Sequence, residues 1–105
     1  MNDSSNTLSA IRQCLALHLP KNGKALLFGS QARGTARPDS DWDILIILNK
    51  DKLLPSDYDT VSFPLAMLGW ERGQTINPIL YSAKEWEHSA HTPFRKIVEQ
   101  DAIPL

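Results

Sequence analysis

An α/β (α+β) domain, with a small mixed central sheet of about three strands flanked by helices, is what this 105-residue sequence predicts. Trp42 through Leu48 is a nearly unbroken apolar run, which marks a strand covered on both faces. Leu8, Ile11, Leu15 and Leu19 recur at spacings of three and four, which marks an amphipathic helix. Segments of the two kinds then follow one another in the order helix, strand, loop, strand, helix, strand, helix, helix.

The elements can be justified in turn. The first helix is expected over residues 6–19, with Ser5, Asn6 or Thr7 as N-cap and Pro20 as its stop. After the Asn22-Gly23 turn signal, Ala25-Leu26-Leu27-Phe28 reads as the first strand and ends at Gly29. Residues 30–39 contain Gly34 and Pro38 and no apolar repeat, so a loop is expected, with one helical turn opening at Ser30. The strand Trp42–Leu48 belongs at the centre of the sheet. Tyr58, Val61, Leu65 and Leu68 form a second helical stripe, which Pro64 should kink or split. Thr75 to Tyr81 reads as a third strand, and Pro78 assigns it to a sheet edge. Ser82-Ala83-Lys84-Glu85 has the spacing of a capping box, and Thr92-Pro93 opens a last helix that runs to about residue 100.

Composition limits the function classes. The length suits one domain over residues 1–105, and 42% apolar with 22% charged residues indicates neither disorder nor a disulfide scaffold. Cys14 is the single cysteine, which excludes an internal disulfide and a multi-cysteine zinc site. A formal charge of −1 lacks the basic footprint of a nucleic-acid-coating protein, so no stable nucleic-acid binding is expected. The polar start MNDSSNTLSA, with no apolar run of membrane-spanning length, leads to the expectation of a cytoplasmic protein without membrane contact.

The chemistry concentrates in GSQARGTARPDSDWDILIIL, residues 29–48. Side chains two apart on a strand share a side, so Asp41 and Asp43 would present two carboxylates to one place while Trp42 faces away. Such a pair suits a hard divalent cation, which takes one or two protein carboxylates and completes its shell with water and phosphate oxygens. Gly29-Ser30 follows a strand and opens a helical turn, where unpaired N–H groups favour a phosphate and glycine permits close approach. If the two strands are neighbours, an anion cradle stands beside a cation cradle, an arrangement that fits a metal-bound nucleoside triphosphate.

Gly29-Ser30, ten intervening residues, then Asp41-x-Asp43 resembles the signature of the nucleotidyltransferase superfamily that includes DNA polymerase beta. The fuller pattern, Gly-Ser-x-Ala-Arg-Gly ending in Ser-Asp-x-Asp and an apolar strand, is similar to the minimal nucleotidyltransferases, or MNT proteins, over nearly the whole chain. The resemblance implies the nucleotidyltransferase fold and transfer of a nucleoside monophosphate, AMP from ATP, to a protein or other acceptor hydroxyl. It also implies Mg²⁺ or Mn²⁺ as cofactor and a helical HEPN protein as partner, with this chain as the antitoxin half. An oligomer is an option the sequence leaves open. Residue by residue, Asp41 and Asp43 would be the catalytic and metal-binding acids, and Gly29, Ser30, Arg33 and Gly34 the nucleotide-binding loop. Arg33 either touches phosphate or braces the loop.

One departure bears on activity. Active members carry a third carboxylate on the next strand, where this sequence reads Thr75-Ile76-Asn77-Pro78-Ile79-Leu80-Tyr81. Asn77 is the residue expected at that position, a neutral metal ligand that cannot serve as a general base. The alternative to an enzyme is therefore a degenerate nucleotidyltransferase fold that binds a nucleotide or a partner. Blander roles are assigned elsewhere: turn formation for Asp39 with Pro38, loop structure for Arg37, and surface positions for His18, His88 and His91. Core packing is expected of Cys14, Trp70 and Trp86, and packing or a site wall of Trp42.

Overall fold

The structure is a computed structural model that describes residues 3–105. Helix α1 (Asp3–His18) precedes strand β1 (Lys24–Phe28), the short helix α2 (Ser30–Arg33) and strand β2 (Trp42–Leu48). Helix α3 (Pro55–Asp57), a π-helical turn (Tyr58–Ser62) and helix α4 (Phe63–Glu71) then lead to strand β3 (Ile76–Ser82). Helices α5 (Ala83–His88) and α6 (Pro93–Asp101) and strand β4 (Ile103–Pro104) complete the chain.

The sheet is mixed, in the order β3-β2-β1-β4. β1 pairs antiparallel with β2 and with β4, and β2 pairs parallel with β3. It therefore has four strands where about three were expected. The addition, β4, is two residues opposite Leu27 and Leu26, too short to leave a periodic signal in the sequence. β3 lies at the edge, as Pro78 requires, since a proline there removes a ladder donor without opening a gap between two strands.

β2 is buried on both sides because its alternating side chains enter two clusters. Trp42, Ile44, Ile46 and Leu48 pack with Ala25 and Leu27 against Ile11 and Leu15 of α1 and Val61 and Leu65 of the second helical layer. Leu45 and Phe28 face the other way, toward Val98 of α6, with Ile79, Tyr81, Trp86 and Phe94 around them. Phe94 closes this second layer, edge-on to Phe28 at 5.5 Å and stacked on Tyr81 at 6.0 Å.

Pro64 splits its helix by a specific device. An α-helix would drive its ring against the carbonyl of Thr60. Instead the Phe63 N–H reaches back five residues to the Tyr58 carbonyl, and this wider turn lets Pro64 sit near the start of a fresh α segment. The capping box is present, with the Glu85 N–H donating to Ser82 Oγ at 3.1 Å and the Ser82 N–H donating to Glu85 Oε1 at 3.0 Å. Thr92 caps α6 by accepting from the Arg95 N–H at 3.2 Å.

Two expectations are corrected. Helix α1 starts at Asp3, so Ser5, Asn6 and Thr7 lie within it and none is its N-cap; fully buried Thr7 accepts instead from the Arg72 guanidinium at 3.3 and 3.4 Å. Trp70 is not a core residue but is 69% exposed, because Leu65 and Leu68 occupy the inward side of α4. Trp86 and Cys14 are half-buried, and burial pushes the Cys14 thiol up from its ordinary pKa. His18, His88 and His91 are exposed. No helix among the described residues is long and apolar enough to cross a membrane.

Candidate functional site at the sheet edge

The ladder decides which residues meet. Because β1 and β2 are antiparallel, the end of β1 lies beside the start of β2, and Phe28 stands opposite Asp43. Because β2 and β3 are parallel, their starts share that end of the sheet, and Asp43 stands opposite Asn77. Gly29, Ser30, Asp41, Asp43 and Asn77, separated by up to 48 positions in sequence, thus gather at one edge.

Gly29 turns the chain from β1 into α2 with φ +80° and ψ −161°, a conformation open essentially to glycine alone. It also lies against an acid: a Cβ at this position would fall 2.5 Å from Asp43 Oδ2. The Gly29 turn and the Asp43 carboxylate are therefore in direct contact, with no side chain between them.

Behind Gly29, its carbonyl accepts the N–H groups of Ala32 and Arg33 at 3.0 and 3.1 Å. The N–H groups of Ser30 and Gln31 precede Ala32, the first donor of the turn, and have no partner within it. Gly34 closes α2 in the left-handed conformation and donates its N–H to the Ser30 carbonyl. Arg33 pairs with neither Asp41 nor Asp43; its Nη1 donates to Asp101 Oδ2 at 2.6 Å, which ties α2 to the last turn of α6. Sequence reasoning did not find Asp101, and no local signal marks a partner 68 residues distant. The rest of the loop is a turn in which the Arg37 N–H donates to Ser40 Oγ at 2.8 Å, with Pro38 and Asp39 at its tip.

Asp43 is half-buried, and Asp41, two positions earlier and just outside the strand, is exposed. Asn77 donates from Nδ2 to Asp43 Oδ1 at 3.3 Å, so one carboxylate oxygen faces an amide and the other faces the Gly29 backbone. Among the described residues no lysine or arginine pairs with either acid. Two carboxylates without a basic partner and the N–H groups of Ser30 and Gln31 set acceptors for a cation beside donors for an anion. The donor set fits a hard divalent ion held by two carboxylates and completed by water and phosphate oxygens. No cluster of three or more His, Cys, Asp or Glu with metal-binding geometry exists among the described residues, in keeping with an amide at position 77.

The sequence model of the nucleotidyltransferase domain matches residues 8–102. The chain belongs to the nucleotidyltransferase domain family. A solved structure described as a candidate minimal nucleotidyltransferase superposes on this domain with a TM-score of 0.64 and 26% identity, covering 97% of this chain and 95% of that one. No curated protein matches the sequence. Nucleotidyltransferase domains act on nucleotide substrates and generally use divalent metals, which agrees with the paired acids and the adjoining turn.

Proposed function

We propose that this nucleotidyltransferase domain transfers AMP from ATP to a hydroxyl on a protein, with pyrophosphate leaving, as the antitoxin-like partner of a HEPN-type protein. The observation that carries the reading is the direct contact of the Gly29 turn with Asp43, which would set triphosphate and carboxylates side by side. The N–H groups of Ser30 and Gln31 and the Ser30 hydroxyl receive the terminal phosphates, while Arg33 holds the loop through Asp101. Asp41 and Asp43 would hold Mg²⁺ or Mn²⁺, and Asn77 orients Asp43 through its amide. A divalent cation bound there would neutralise charge on the reacting phosphate. Position 77 offers no carboxylate to accept the proton of the acceptor hydroxyl, so that proton passes to water and turnover is slow. The HEPN partner and the choice of ATP rest on the resemblance to minimal nucleotidyltransferases.

Asn77 also favours a second reading, in which the domain keeps the triphosphate site and neutralises its partner by contact alone. Incubation with labelled ATP, Mg²⁺ and a purified HEPN-type partner separates the two. Label transfer that disappears in Asp41→Ala and Asp43→Ala supports the enzyme. Partner inhibition that persists undiminished in both variants, with no transfer by the wild type, supports the binding module.

A further inference from the structure

The outer face of the α1 and α4 pair is apolar where a surface should be polar. Leu17 is 81% exposed, Trp70 69% and Phe63 55%. Phe63, Met67 and Trp70 follow one another at spacings of four and three along α4 and so form a single ridge. Beside the ridge a groove runs between the two helices, lined by Cys14 and Leu17 on one side and Pro64, Met67 and Leu68 on the other. Thr7, near the start of α1, meets Arg72, just past the end of α4, so the helices run antiparallel. His18 therefore marks the Pro64 end of the groove and Glu71 the opposite end.

We infer that this face is the interface of a two-fold homodimer. Its size fits. An aromatic side chain presents roughly 150–250 Å² and a leucine on the order of 100 Å², which puts the patch near 400 Å². A stable interface takes about 800 Å² from each partner, a little over half of it apolar. The ridge and its groove supply most of that apolar share from one continuous surface.

The arrangement also selects a second copy as the occupant. A two-fold interface must complement itself, and here a projecting ridge and a receiving groove lie side by side on the same helix pair. A two-fold axis parallel to the groove and lying between it and the ridge exchanges the two, so each ridge enters the other copy's groove. No like-charged cluster lines the groove, and a formal charge of −1 per chain opposes self-association only weakly. The interface lies on the sheet layer opposite the Asp43 side chain, so the dimer leaves the acids open and does not depend on the transferase reading.

Sedimentation equilibrium of the full chain tests this, at concentrations from about 1 to 100 µM that bracket a micromolar dissociation constant. The expected mass is twice 11.8 kDa at the upper end. Leu17→Glu and Trp70→Glu, at positions too exposed to disturb folding, should each weaken the dimer about 100-fold with an unchanged melting temperature of the monomer. A wild-type mass that stays at 11.8 kDa throughout, or a Trp70→Glu chain that dimerises as tightly as the wild type, overturns the inference.

Discussion

Replacing Gly29 by alanine should damage stability and ligand binding through two separable effects. The backbone effect comes from φ +80° and ψ −161°, which costs any residue with a Cβ about 1–3 kcal/mol. The contact effect comes from Asp43: its Oδ2 would have to retreat from 2.5 Å to an ordinary contact near 3.4 Å, pulling the carboxylate off its 3.3 Å partner Asn77. Together these amount to about 2–4 kcal/mol, or a fall in Tm on the order of 10–20 °C for a domain of this size. Gly34→Ala is the stability control, because Gly34 has φ +77° but open space where the Cβ would stand. That substitution should cost only about 1–2 kcal/mol. Scanning calorimetry of the two variants isolates the contact with Asp43, and calorimetric titration with Mn²⁺ and a non-hydrolysable ATP analogue reads its consequence, a loss of at least about tenfold in affinity for Gly29→Ala, or ~1.4 kcal/mol. If Gly29→Ala melts with Gly34→Ala and still binds the analogue like the wild type, the coupling of turn to carboxylate is refuted.

Asn77→Asp should place a third carboxylate beside Asp43, lowering the metal-free Tm by a few degrees through like-charge repulsion and raising Mn²⁺ affinity about tenfold, read by melting with and without the ion. Asp57 is buried; the Leu54 N–H at 2.7 Å, and then Lys50 at 3.0 Å to both oxygens, hold its carboxyl below the usual range. Stabilisation from a lowered folded-state pKa is complete above the unfolded value near 3.9 and is lost as pH falls through the folded one, so Asp57→Asn should cost about 2 kcal/mol at neutral pH and nothing in strong acid. Urea unfolding of both proteins across pH 2–7 (approximate limits) checks that convergence. Arg33→Ala should cost about 1 kcal/mol or less, since Arg33 is half exposed, and should speed amide exchange in α6 and β4 more than in β2.

What was legible in the sequence was whatever local patterning controls. β2 announced itself because both its faces are covered, and Ser82, Thr92 and Pro64 each act on their own backbone neighbourhood. The site acids and the Gly29 turn were readable as types for the same reason. Their meeting was not, since it depends on the antiparallel register of β1 on β2 and the parallel register of β3 on β2. Asp101 as the partner of Arg33 and β4 as a fourth strand are products of the tertiary path of α6 and leave no periodic trace. Trp70 was misread because helical spacing places a residue on a stripe without saying whether that stripe meets the core or water.

The edge proline that follows Asn77 has a chemical consequence of its own. Spontaneous deamidation of asparagine proceeds when the next backbone nitrogen loses its proton and attacks the side-chain amide to close a succinimide. Pro78 has no such proton, so this route from Asn77 to aspartate is shut. Ageing by the succinimide route therefore does not drift the chain toward a three-acid centre. A change in the gene makes that conversion with a single base, since asparagine and aspartate codons differ at one position.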